Sequence, residues 1–282
     1  MMGKNHTSIS VAWGFLIASP LLFHNPIYFV SLLIGVVLGA VFPDIDVKSH
    51  NPYGTSKTES RRYFHNDEIE REGGGGLMML MGLVSYPAMH ISGFLVSRFT
   101  KYTKDELLNH RMLMHSLLGV TLSLLLIFVP INLLLLIIGF WHPAFLVASF
   151  GVFIGALFHL FEDSCTGTGI NFFYPFKEMG ANRENCLRGK ICTGKKSEKE
   201  AGKIFSQMYI YMGVIFIVYY IALRKLPLLA QYDFMEGMSV GGLILITTAM
   251  SLFGLVFMRY KANTAFFPKI DGYENSKSFT KR

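Results

Sequence analysis

The sequence predicts an all-α fold, a polytopic membrane helical bundle of about six transmembrane helices with a re-entrant or interfacial segment over 73–97. Composition points there first. Of 282 residues, 51% are hydrophobic and 16% are charged, whereas soluble globular chains carry about 25% charged residues. Mean hydropathy is +0.40. The apolar residues also come in blocks. Asp, Glu, Lys and Arg are missing from 5–43, 73–97, 116–161, 204–223 and 237–258.

A spanning helix needs about 20 apolar residues. The first block breaks at His24-Asn25-Pro26, because proline ends a helix. Its halves, roughly 8–23 and 27–43, are short for full spans and would tilt little, thin the bilayer or be partly re-entrant. A second apolar run follows the first almost at once, and no clear small-residue cleavage site separates them. The N-terminus is therefore expected to be retained, not removed as a signal peptide. The block 73–97 carries Pro87 and His90 near its middle, which suggests a dip and return or a surface helix; a seventh span is the alternative. The 46-residue block 116–161 holds two helices with a break at Gly139–Pro143. The last two blocks supply one helix each. Residues 1–258 read as one membrane domain and 259–282 as a polar tail, with polar connections at 44–72, 98–115 and 162–203. The Gly73–Gly76 run is a flexible joint, since no Lys-Ser/Thr follows it.

Lys and Arg counts orient the chain. If 73–97 does not cross, the N-terminus, the three connections and the tail share 24 basic residues, against 2 on the other side. If it crosses once, the split falls to 18 against 8. The first arrangement is better, and the positive side is cytoplasmic, so both termini are expected in the cytoplasm. The net charge of +7 suits anionic headgroups. Membrane lipids are the expected partners, nucleic acid is not, and the oligomeric state is left open. The lysines 190, 195, 196, 199 and 203 read as a topology determinant, with headgroup binding as the alternative. Cys186 and Cys192 fall in the same basic loop and read as reduced thiols, a bridge or a metal pair being the alternatives.

This orientation places His6, Asp44, Asp46, His110, His115, His159 and Asp163 together at the cytoplasmic ends of apolar segments. Asp44 and Asp46 stand two apart, and side chains two apart in an extended segment point the same way. His159 and Asp163 stand four apart on one helix face. His110 and His115 bracket the start of the next apolar run. Acidic groups at the ends of membrane spans are costly, so a functional role is the default reading. Imidazole with carboxylate suits zinc first, then manganese or iron, as one or two divalent ions. For any single residue a helix cap or a solvated charge competes with this reading. Arg111 could hold a phosphate oxygen or act as a positive anchor; Ser116 and Thr166 could touch substrate or cap helices. His24 and His142 fall on the opposite side and read as structural, and His90 lies outside the set.

These residues resemble a family, the membrane-bound metal-dependent hydrolases of the YdjM type from the inner membrane of bacteria and archaea. The resemblance covers roughly residues 1–176. Its motifs stand as His6; Pro43-Asp44-Ile45-Asp46 with Ser49; His110-Arg111 and His115-Ser116; and His159, Asp163, Thr166 and Gly169 with Pro175-Phe176. The chain departs at Val47, where the family commonly has histidine; His50 and His65 are nearby. The resemblance implies hydrolysis, and the metal set suggests a phosphoester or lipid substrate at the membrane face. A transporter would place ionisable groups near the midplane instead. A non-enzymatic scaffold with a structural metal would use the same residues.

Overall fold

The computed structural model describes residues 3–46, 75–109, 111–177, 185–191, 196–225 and 240–263. Eight helices make up the described chain: α1 (Gly3–Ala18), α2 (Pro26–Val41), α3 (Gly75–Ser97), the short α4 (Lys104–Leu107), α5 (Leu117–Ile137), α6 (Pro143–Ser164), α7 (Lys196–Lys225) and α8 (Val240–Asn263). The fold is an all-α membrane bundle, and no β-strand occurs among the described residues. Helices α5 and α6 and most of α7 and α8 are long and apolar enough to cross a membrane. Helices α1 and α2 have 16 residues each, about 24 Å at 1.5 Å per residue. They are short, as the block lengths imply. Large apolar residues such as Val30, Leu125, Leu134, Phe150, Ile215 and Val256 face outward. That is the pattern of a protein whose solvent is lipid.

Helix starts and stops follow local chemistry. Asn25 caps α2, accepting from the Tyr28 backbone N–H at 3.2 Å, with Pro26 in the first turn. His142 caps α6 by accepting from Ala144 N–H at 3.1 Å, with Pro143 next. Proline at the first helical position costs no hydrogen bond, because that N–H has no intrahelical partner. At the same end of the bundle His24 Nε2 lies 3.2 Å from the Tyr220 hydroxyl. Both histidines thus have structural partners away from the candidate site.

One sequence expectation needs correction. Pro87 does not interrupt the third block: Gly75–Ser97 is one helix running through Pro87. One continuous helix agrees with a surface helix or a seventh span and not with a dip and return. Proline inside a membrane helix is tolerated when neighbours re-satisfy the freed groups, and α5 likewise runs through Pro130. Helix α3 packs on α5, with Ser92 and Ser123 hydroxyls 2.8 Å apart. Its Ala88 and Met89 join Phe42, Met114 and Val120 in one buried cluster.

The core is the pairing of α2 with α6. The two helices run parallel, and glycines four apart on each let the backbones touch. A Cβ on Gly35 or Gly39 would stand 2.2 Å from the Ala148 or Val152 carbonyl oxygen. A Cβ on Gly151 or Gly155 would stand 2.6 or 2.3 Å from the Leu32 or Val36 oxygen. Small residues four apart are how membrane helices approach without a hydrophobic driving force between them. Helix α1 packs on α7, and Trp13 stacks on Phe158 of α6 with ring centroids 4.3 Å apart. Because α2 and α6 are parallel, their C-terminal ends, with Asp44 and with His159 and Asp163, come to one level.

Candidate metal centre

Five residues of the predicted set converge where these ends meet. His6 comes from the first turns of α1, and Asp44 from a 3-10 turn (Pro43–Asp46) after α2. His115 ends the 3-10 turn Leu113–His115 ahead of α5, and His159 and Asp163 come from the last turns of α6. Asp163 is the hub. Its Oδ1 lies 3.3 Å from His6 Nε2, and its Oδ2 lies 3.6 Å from His115 Nε2, 3.9 Å from His159 Nε2 and 3.4 Å from the Arg111 guanidinium. Asp44 Oδ1 lies 3.5 Å from His115 Nε2 and 3.6 Å from His159 Nε2. Two triads, His6/Asp44/His159 and His115/His159/Asp163, each present ligand atoms within 4.8 Å of one another. The 3.5 Å between Asp44 and His115 puts the end of α2 and the start of α5 at one level.

The three imidazoles are fully buried, whereas Asp44 and Arg111 keep 15% and 16% of their side chains exposed. His159 is aimed by a helix end. The last carbonyls of a helix lack intrahelical partners, and Ala40 O accepts from His159 Nδ1 at 2.6 Å. That turns His159 Nε2 inward. His6 Nδ1 is bonded to the buried Glu162 carboxylate, which likewise leaves Nε2 facing the cluster. The buried Nε2 atoms of His6 and His159 have no hydrogen-bond partner among the described residues. A buried polar atom left so costs about 1–3 kcal/mol, and a bound cation would satisfy both. Nitrogen and oxygen ligands at about 2.1 Å from a tetrahedral zinc ion stand roughly 3.4 Å apart, close to the separations seen here. The residues therefore fit a divalent ion. Burial works against a charged Asp44; the neighbouring His159, His115 and His6 outweigh it and hold the carboxyl below the usual carboxylate range.

The remaining predicted residues fall into three groups. Arg111 lies at the cluster, where it donates to the Thr168 hydroxyl and faces Asp163. Its backbone φ of +65° is left-handed for a non-glycine residue, which costs of order 1–3 kcal/mol and is typical of functional positions. Ser116 caps α5, accepting from Gly119 N–H at 3.1 Å and donating to Leu113 O at 2.7 Å. Thr166 donates to Asp163 O at 2.7 Å and accepts from Gly169 N–H at 3.3 Å, which closes the end of α6. His110, Val47, His50, His65, Cys192 and Lys195 lie outside the described residues, as does the tail beyond 263; for Asp46 only the backbone is described. Cys165 is buried, and burial pushes its thiol up to about 11, so it is inert.

The cap makes a clean prediction. Ser116→Ala should cost about 1 kcal/mol of stability, read as a lower melting temperature in detergent. Bound metal should stay at the wild-type level. A variant that melts normally yet loses metal would assign Ser116 to the centre instead.

Sequence reasoning missed Glu162, the Ala40 carbonyl and Thr168. Glu162 was within reach: it stands three residues after His159, as Asp163 stands four after, so both share the histidine's face. The other two had no local signal. Arg259 was also missed. Its guanidinium donates to the carbonyls of Ser164 and Arg188, tying the end of α8 to the loop that follows α6.

No match was found among curated proteins or among solved structures. The family model described as YdjM inner membrane protein matches residues 1–261. The match runs past residue 176 through α7 and most of α8, further than the motifs alone reach. The chain belongs to the YdjM inner membrane protein family.

Proposed function

We propose that this inner-membrane protein is a metal-dependent hydrolase acting on a phosphoester, carried by a lipid, at the cytoplasmic face. One observation carries the reading: three buried imidazole Nε2 atoms and two carboxylates converge beside a partly exposed arginine. His6, His115, His159, Asp44 and Asp163 would hold one divalent ion, zinc by preference, with manganese or iron also suited to the donor set. His159 Nε2 belongs to both triads, which supports one ion rather than two. Such an ion supplies Lewis acidity to water and to a phosphoryl oxygen. Arg111 binds the substrate phosphate while Asp163 and Thr168 hold its guanidinium in place. Asp44 and Arg111 mark the way in, since they keep the exposure that the histidines lack. A site at helix ends favours a substrate that arrives within the bilayer.

A second reading, a scaffold with a structural metal, draws on the complete burial of the three histidines, since structural sites are closed. Metal analysis of the purified protein, with Asp44→Ala and His159→Ala beside it, comes first. Both variants should lose metal; retention by both would remove the centre. Phosphate release from short-chain phospholipids by wild type, lost in both variants, rejects the scaffold. Metal without turnover of any phosphoester supports it.

The cytoplasmic orientation rests on the 24-to-2 distribution of basic residues. Cysteines introduced as Ser60→Cys and Lys104→Cys should label from the cytoplasmic side only. Labelling from opposite sides refutes the orientation.

A further inference from the structure

We propose that Glu162 is a positioning residue that, through His6, decides which imidazole nitrogen faces the metal; this rests on the metal-centre reading above. Glu162 contributes no atom to either ligand triad. It is nonetheless fully buried at the last turn of α6, and its Oε2 meets His6 Nδ1. An unpaired buried carboxylate would be costly, so its place against His6 needs a reason. The next residue, Asp163, stands beside the other ring nitrogen without a hydrogen bond to it, with Oδ1 3.3 Å from His6 Nε2. Consecutive residues of α6 thus flank both nitrogens of one imidazole.

In this proposal the contact with Glu162 sets the tautomer: Nδ1–H donated to the carboxylate leaves the lone pair on Nε2, inside the cluster. His159 uses the same device with a different acceptor, the Ala40 carbonyl at 2.6 Å. The two rings stack at 4.0 Å between centroids and 25° between planes. The acceptors differ in kind. Both can accept the Nδ1–H bond, and outer partners of this sort typically hold about 10- to 100-fold of metal affinity. His6 also needs the restraint more. It lies in the opening turns of α1, whereas His159 stands one turn beyond Gly155, where α6 is pressed against α2.

The test uses full-length protein in detergent, stripped of metal and titrated with Zn²⁺ against a chromophoric chelator and with Co²⁺ by visible absorption. Glu162→Leu should weaken Zn²⁺ binding about 10- to 100-fold and alter the Co²⁺ bands. Glu162→Gln, whose amide oxygen can accept the same bond, should recover most of that loss and restore the wild-type band positions. In a His6→Ala background, Glu162→Leu should add nothing, because its effect runs through the imidazole. If the leucine variant does not fold, the glutamine variant and its Co²⁺ bands decide. Zn²⁺ binding by the leucine variant equal to wild type would overturn the proposal. So would additive losses in the double variant, or a glutamine variant no better than leucine. Wild type that binds neither ion would overturn the metal-centre reading itself, a different failure.

Discussion

Asp163→Ala should strip the centre of its metal, with affinity falling by more than the roughly 100-fold that changes outside the ligand set cost. Asp163 approaches all three histidines and the Arg111 guanidinium. Removing it deletes a ligand and leaves Arg111 facing three imidazoles with Asp44 as the remaining described carboxylate of the triads. The guanidinium would then disfavour a cation instead of being offset. Asp163→Asn keeps the shape but not the charge and should fall between alanine and wild type. Metal content by elemental analysis reads the result directly. An alanine variant that keeps one ion per chain would move the centre elsewhere.

The second large effect involves no ligand. Gly155→Val should cost at least the roughly 1–3 kcal/mol typical of overpacking, and it should lower bound metal as well. The new Cβ would stand 2.3 Å from the Val36 carbonyl oxygen and 2.9 Å from Val36 Cα, both backbone atoms that cannot rotate away. Helices α2 and α6 must separate. The hydrogen bond from His159 Nδ1 to Ala40 O, one turn further on, should break first. Phe150→Leu, on the outward face of the same helix, should change neither property. Melting temperature in detergent and metal content, measured on both variants, check the pair of expectations. A Gly155→Val protein with full metal content would show that the site does not depend on this helix packing.

Much of the molecule was legible in one dimension. Charge-free blocks marked the helices, and the breaks at Asn25-Pro26 and His142-Pro143 fell where proline must start a new helix. The five predicted metal residues whose side chains are described come together, and they were found because ionisable groups at the edges of apolar blocks are costly without a purpose. Pro87 misled, because a membrane helix can keep a proline when tertiary neighbours compensate, and neighbours are not visible in a local pattern.

Hydropathy was enough to set the membrane class and the edges of the apolar blocks where the polar residues lie, and Pro26 and Pro143 marked two of the helix starts. Both act over single helices, so those features need no knowledge of the partners. Which atoms meet is a matter of packing in three dimensions. His6 reaches Glu162 across 156 residues, and His159 reaches Ala40 across 119. Those pairings depend on the close approach of α2 and α6 at their glycines and on the packing of α1 beside α6. They exist only once the helices are packed, and no periodicity along the chain encodes them.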